Sequence, residues 1–366
     1  TNVVNNHINY QMRIIEGKEA RVKRIIIKGN TKTNDHVIRR EIRTKPGDLF
    51  SRNDIIRTQR ELSQLGYFND QAFQINPIPN PQDGTVDIEY VVEEKSSDQI
   101  ELSGGYGGTG VNGRGSIIGT LGLTFNNFST RNIFKANSWT PLPGGDGQKL
   151  QIRAQTSGRY YQGYNFSFTE PWLGGKKPNS LSFWLNHTAQ GNGYLRSNEK
   201  YAGLSITGIG LGFGRRKKWP DDWFQAYYEL SYQYYDVVDD SRFGIFTNGY
   251  ANDIAFKYVL QRSSVSAPIY PQNGSNIKFT AKATLPYSTF DGIDDYAPLT
   301  NQERYKYLEY YKLKLTGEWF FPLTPDKKLV LMPRFGFGIL GAYSKSKGVT
   351  PFERFTLGGS GLTGVN

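Results

Sequence analysis

Near residue 95 the spacing of apolar residues along the chain changes character. Beyond it, long stretches alternate apolar and polar side chains with a period of two, the pattern of a strand with two unlike faces. The stretch from Trp223 to Tyr235 shows it best. Phe224, Ala226, Tyr228, Leu230, Tyr232 and Tyr234 share one face, and Gln225, Tyr227, Glu229, Ser231 and Gln233 share the other. Ile277, Phe279, Ala281, Ala283 and Leu285 alternate in the same way with Lys278, Thr280, Lys282 and Thr284. About eleven such segments follow one another, near 99–106, 114–126, 147–157, 160–171, 179–190, 203–214, 223–236, 250–262, 275–286, 305–319 and 327–342. Many exceed the roughly ten residues that a tilted strand needs to cross a bilayer. Strands of a soluble sandwich run to about five or six. Length therefore favours an antiparallel transmembrane β-barrel.

Residues 19–95 mix strand and helix patterns instead. Val22 to Lys28 is a β-rich run closed by the turn signal Gly29-Asn30. Asn34 or Asp35 caps a predicted helix through Ile42, with Val37, Ile38, Glu41 and Ile42 on its inner side. After the breaker Lys45-Pro46-Gly47-Asp48, Ser51 caps a second helix with an apolar stripe of Ile55, Ile56, Leu62 and Leu65, and Gly66 ends it. Strands over Ala72 to Ile78 and Val86 to Val92 flank the turn Pro79-Asn80-Pro81-Gln82-Asp83-Gly84. The order β-α-α-β-β makes a small α+β domain. Residues 1–18 read as the end of a preceding domain, and residues 96–366 as the barrel part.

Composition agrees with this division. Aromatic residues reach 14%, and glycines number 41, yet the mean hydropathy is −0.56. A transmembrane barrel exposes apolar residues to lipid only at every second position, so enrichment without hydropathy is what it requires. The net charge of +11 is scattered. Its densest cluster, Arg215-Arg216-Lys217-Lys218, adjoins the turn Trp219-Pro220-Asp221-Asp222, where lipid headgroups are a better partner than nucleic acid. Connections at 172–178, 215–222, 263–274 and 320–326 are rich in Pro, Gly and basic residues. Those at 191–202, 237–249 and 287–304 include the longest and carry acidic runs. This is the asymmetry of short turns on one rim and loops on the other. The connection 127–146 is long for its side.

Enzymatic and metal chemistry find no support. Cysteine is absent, and His7, His36 and His187 lie too far apart for a ligand set. Gly105, Gly107 and Gly110 fit Gly-x-Gly-x-x-Gly, but a strand rather than a helix follows, so no dinucleotide cofactor is expected. Ser360 lacks the second glycine of a nucleophile elbow, since Leu362 stands there. The glycines at 104, 105, 107 and 108 instead suggest a weakly held first strand, or one that bends.

Several segments carry a family resemblance. Leu62-Ser63-Gln64-Leu65-Gly66-Tyr67-Phe68-Asn69-Asp70, with Val22-Lys23-Arg24-Ile25 and Gly29-Asn30-Thr31, resembles a POTRA domain, and its mark is Leu65, Gly66, Tyr67 and Phe68. Downstream, Gly119 to Phe128, the barrel turn at Thr169, Glu170, Pro171 and Trp172, and the loop-six run Phe352, Glu353, Arg354, Phe355, Thr356, Leu357, Gly358, Gly359 resemble the BamA-type outer-membrane protein assembly factors. The resemblance covers nearly the whole chain and implies its last POTRA domain followed by the first part of a barrel of about sixteen strands. One departure is that the family's Arg-Gly-Phe or Arg-Gly-Tyr motif, farther along loop six, does not occur before Asn366. The chain thus reads as a piece cut at both ends.

The resemblance implies an outer-membrane location with the POTRA domain in the periplasm. It implies unfolded outer-membrane protein clients, accessory assembly lipoproteins, and membrane lipid with lipopolysaccharide as partners. POTRA domains can hold such partners by adding strands to their sheet edges. The first strand, with Gln99, Glu101, Ser103, Gly104, Gly105 and Gly107, is the expected client-contacting edge, at a weak barrel seam where an incoming strand would be templated. Two other readings stay open: a POTRA-bearing pore that secretes one partner protein, and a structural barrel without clients.

Overall fold

The computed structural model describes residues 2–4, 7–9, 19–107, 116–139, 142–266 and 270–355. They form two compact units, Thr1–Ser97 with Arg131–Asp146, and Asp98–Thr130 with Gly147–Asn366.

In the first unit β1 (Asn2–Val4) and β2 (His7–Asn9) make a short antiparallel pair. The POTRA-like part follows, with β3 (Arg21–Lys28), α1 (Asp35–Arg39), α2 (Arg52–Gln64), β4 (Gln74–Asn80) and β5 (Thr85–Val91). Its sheet runs β3-β5-β4, with β3 parallel and β4 antiparallel to β5. The helices cover this sheet through Val37, Ile38, Ile55 and Leu62, which pack with Val22, Phe68, Ile88 and Tyr90. Ser51 caps α2 as expected, its hydroxyl accepting from the Asp54 amide at 3.2 Å.

Three local expectations are corrected. Helix α1 ends at Arg39 rather than Ile42. Asn34 makes no side-chain cap; its amide nitrogen instead donates to Asp146 Oδ1 at 2.9 Å. Ile56 is 47% exposed while Thr58 is fully buried. Ile55, Thr58 and Leu62 are spaced three and four apart and share the inner side, which leaves Ile56 about 100° away from Ile55.

Glu94 fastens the turn after β3. Its carboxylate accepts from the Thr31 amide and hydroxyl, the Lys32 amide and the Thr33 amide at 2.6–2.9 Å. Gly29 crosses this turn at φ +91, and a Cβ there would lie 1.8 Å from the Val92 carbonyl oxygen, so only glycine fits. The segment 131–146, whose length stood out in the sequence, packs within this unit. The Gly145 carbonyl accepts from the Asn34 amide at 2.9 Å, and the Asp146 carbonyl accepts from Arg40 Nη2 at 3.3 Å.

The second unit is one antiparallel meander: β6 (Gln99–Gly107), β7 (Ser116–Phe128), β8 (Gln148–Thr156), β9 (Tyr161–Glu170), β10 (Asn179–Gly191), β11 (Gly203–Arg216), β12 (Phe224–Val238), β13 (Gly249–Ser263), β14 (Gly274–Thr284), β15 (Tyr311–Pro322), β16 (Val330–Leu331) and β17 (Arg334–Gly341). From β6 to β15 each strand pairs with the next, and β16 and β17 both pair with β15. The eleven segments read from alternation all appear, but the tenth begins at Tyr311 rather than near 305, after a helical turn at Asn301–Arg304. The last is split at Met332-Pro333, where proline has no N–H for the ladder. Among the described residues the sheet is unclosed, ending at β6 on one side and β16–β17 on the other.

The two faces separate as the alternation requires. Leu230 opposes Leu211 and Phe256, and Tyr232 opposes Ile209 and Ile254. On the outer face Leu230, Leu211, Phe256, Ile209 and Tyr232 are 39–59% exposed, while Ala226, expected on the same face, is buried at 1%. On the inner face Glu229 and Ser231 are buried. Glu229 pairs with Lys257 at 2.7 Å and accepts from the Tyr227 hydroxyl at 2.9 Å and Trp184 Nε1 at 3.3 Å. These large inward rings need a bare strand beside them. A Cβ on Gly210 would sit 2.3 Å from the Trp184 ring, and one on Gly212 2.0 Å from the Tyr227 hydroxyl.

Candidate functional site

Two features of the second unit stand apart from the regular wall. The first is β6. It is hydrogen-bonded on one side only among the described residues, in the register Gln99↔Thr124 through Gly107↔Ser116. Its outward residues Ile100, Leu102 and Tyr106 are 75–82% exposed. On its other face Glu101 meets Arg153 at 3.4 Å, and Ser103 opposes Thr120. Gly104 opposes Gly119 and Gly105 opposes Ile118. A Cβ on Gly104 or Gly105 would meet nothing within 4 Å. Close approach therefore does not demand glycine here. What glycine does is remove cross-strand side-chain pairs, each of which contributes roughly 0.2–1 kcal/mol. At Gly104 and Gly105 the backbone ladder alone holds the strand to β7, while Ile100, Leu102 and Tyr106 still oppose Leu123, Leu121 and Ile117.

The second feature is the start of loop six. Phe352 packs with its ring centroid 4.3 Å from Phe243 and 4.9 Å from Tyr235 and Phe246. The next residue, Glu353, accepts from Lys282 Nζ at 2.7 Å and Lys312 Nζ at 3.1 Å. Lys282 also reaches Asp253 at 3.1 Å, and Asp253 accepts from the Tyr310 hydroxyl at 3.0 Å. Asp253 opposes Gln233, and Lys282 opposes Lys257, so the cluster stands on the inner face of the wall. Four charges leave water together here only because each has an opposite partner and further hydrogen bonds. Lys312 Nζ also lies over the Phe355 ring, 4.7 Å from its centroid. Arg354 is exposed. Gly358 and Gly359 lie outside the described residues.

The remaining expected positions are distributed through the fold. In the POTRA mark, Phe68 and Tyr67 are buried, Leu65 is partly buried, and Gly66 takes φ +75 at the end of α2. The Tyr67 carbonyl accepts from the Lys95 amide at 2.8 Å, and the Asn69 amide donates to the Glu93 carbonyl at 2.8 Å. The mark thus ties the helix end to the strand's exit. In the barrel turn, Glu170 accepts from the Trp172 amide at 2.9 Å and from Gln148 Nε2 at 2.8 Å, bracing Pro171. Thr169 opposes Lys149 and Ser182. These are turn-forming roles. Sequence reading passed over Asp253, Lys282, Tyr310 and Lys312; their available signal was an acid and two lysines on the inner face of alternating strands.

Comparison with known proteins agrees with this architecture. A model described as the Omp85 superfamily domain matches residues 144–363, and a POTRA model, described as surface antigen variable number repeat, matches residues 20–95. The outer membrane protein assembly factor BamA of Neisseria meningitidis is 24% identical over 97% of this chain and 40% of its own length. A putative outer membrane protein assembly factor of Treponema pallidum is 29% identical over 49% of this chain and 20% of its own. The chain thus spans two fifths or less of these relatives. Among solved structures, BamA from Haemophilus ducreyi lacking POTRA domains 1–3 superposes with a TM-score of 0.56 at 18% identity, covering 94% of this chain and 60% of that one. CdiB from Escherichia coli gives 0.53 at 10% identity over 88% and 55%. These structural likenesses speak for the fold. By its superfamily match over residues 144–363, with a POTRA match at 20–95 before it, the chain belongs to the Omp85 superfamily, as an outer-membrane β-barrel preceded by a periplasmic POTRA domain.

Proposed function

We propose that this chain serves in folding client β-barrel proteins and inserting them into the outer membrane, with the edge of β6 turned away from β7 as the template. The observation that carries the reading is the state of that strand. It bears two adjacent glycines with open space over them, and it exposes only three large apolar residues. In hydrocarbon each unsatisfied backbone group costs several kcal/mol. A client strand laid along β6 satisfies those groups, and the driving force is hydrogen bonding without any energy cofactor. The Neisseria and Treponema relatives, named as assembly factor and putative assembly factor, support an assembly role. Unfolded clients and accessory assembly lipoproteins are the partners this reading gives the POTRA domain.

The test is cross-linking. The sequence contains no cysteine, so single cysteines placed at Glu101, Ser103 or Gly105 are unique. They should trap an assembling client strand in one register. A disulfide locking β6 to the last strand of the barrel should block insertion. Clients inserted at the normal rate by the locked protein would refute the templating edge. A pore that secretes one partner protein is the second reading, because CdiB shares the fold. Depletion separates them: loss of an assembly factor depletes many outer-membrane proteins, loss of such a pore one secreted protein.

A further inference from the structure

In the meander, the turns β9–β10, β11–β12, β13–β14 and β15–β16 all lie on the rim at which β6 begins, which is the periplasmic one. Three of these four turns carry an adjacent lysine pair: Lys176-Lys177, Lys217-Lys218 and Lys327-Lys328. Only Lys328 has a carboxylate within reach, Asp326 at 3.6 Å; the other five lysines have none among the described residues. Asp221 is already engaged by Arg262 at 2.8 Å. On the opposite rim Arg196 pairs with Asp236, Arg242 with Asp240 and Lys347 with Glu309, and its lysines without a carboxylate within reach among the described residues, Lys200, Lys306 and Lys345, stand singly and not in adjacent pairs. Beside the paired lysines of the periplasmic rim stand exposed apolar side chains. Leu173 is 42% exposed, Trp219 84%, Tyr270 89% and Leu323 56%.

We propose that this rim is a docking surface for the acidic phospholipid headgroups of the periplasmic leaflet. Lysines without carboxylates, interleaved with Trp, Tyr and Leu, match a surface that is anionic at the phosphates and apolar just beneath. The aromatic and leucine side chains enter the acyl boundary while the ammonium groups stay at phosphate depth. A soluble acidic protein would satisfy the charge but leaves the neighbouring apolar side chains without a matching layer. The inference rests on the chain being an outer-membrane barrel and not on strand templating, so either can fail alone.

The experiment uses the chain in nanodiscs of mixed phosphatidylcholine and phosphatidylglycerol. The lipid retained after release is counted by native mass spectrometry. The wild-type chain should retain phosphatidylglycerol several-fold above its bulk share, and high salt should reduce this. The K176Q/K177Q/K217Q/K218Q/K327Q variant should return to the bulk ratio, whereas Lys200→Gln on the opposite rim should keep the enrichment. Inorganic phosphate added in excess should leave the enrichment standing, since it offers no acyl layer. No enrichment in the wild type, or equal enrichment in the quintuple variant, would overturn the proposal. So would a variant that keeps its lipid ratio but loses a co-purifying acidic periplasmic protein.

Discussion

Replacing Leu230 by Arg offers a direct measure of which face of β12 meets lipid. The strand has fifteen residues, and at about 3.3 Å per residue, tilted about 45°, it rises roughly 35 Å across a hydrocarbon layer of about 30 Å. Leu230 is the seventh residue of Phe224–Val238, so it lies about 15 Å from the end and near the midplane. Its side chain is 59% exposed between Leu211 and Phe256. An arginine at that depth costs roughly 2–4 kcal/mol, or about 30- to 900-fold in the folding equilibrium. Gln233 is three residues on but faces inward, where the Tyr235 hydroxyl donates to it at 2.7 Å. Arginine there keeps a polar setting and should cost well under half as much. Urea titrations of folding into lipid vesicles read both changes. Equal losses for Leu230→Arg and Gln233→Arg would refute the assigned faces, and with them the exposure of the β6 edge to the membrane.

Residues 20–95 carry their own core and should unfold cooperatively as an isolated piece. In it Leu62→Ala, at a site with no exposure, should cost roughly 2–5 kcal/mol, and Leu65→Ala distinctly less; the reverse order in chemical denaturation would contradict the packing. Burial pushes the Glu94 carboxylate up, but hydrogen bonds from Thr31, Thr33 and the Lys32 and Thr33 amides outweigh it and hold its pKa at about 2, below the ordinary 4.5. Because the folded value is the lower one, this stability is present above pH 4.5 and is lost as the pH falls towards 2. Glu94→Gln should flatten the unfolding midpoint across that window. Gly210→Val should destabilise the wall by roughly 1–3 kcal/mol through its clash with Trp184, whereas Gly104→Val, with open space above it, should leave heat-modifiable folding intact yet stiffen β6 and slow client insertion.

The barrel wall was legible because alternation is a local signal, repeated in every segment. Each strand of a meander has one face in lipid, so Phe224 to Tyr234 announce their side without knowledge of any neighbour. The POTRA order was legible from caps and breakers such as Ser51 and Gly66. Features that depend on residues distant in sequence were not legible. Glu353 reads as a loop acid until Lys282 and Lys312 are brought beneath it. Asn34 reads as a cap until Asp146, far along the chain, takes its side chain instead. Ile56 reads as core because it is apolar, while the helix places Thr58 inside. In β6 the glycines were visible, but the open space above them was not.

The two outer edges of the POTRA sheet have a further consequence. On β4, Pro77 and Pro79 stand two apart and so face the same way. With the ladder from Gln74 to Asn80 kept against β5, their absent N–H groups fall on the outer side. On β3, the Val22 amide donates to the Asp48 carbonyl and the Phe50 amide to the Ala20 carbonyl, so a loop already occupies the start of that edge. With β4 guarded and the start of β3 occupied, the later part of β3, up to Lys28, is the stretch of edge this sheet leaves to an added strand among the described residues. An extended partner that adds a strand to this domain would have to do so along that one short stretch, which fixes where it starts and how many backbone bonds it can gain.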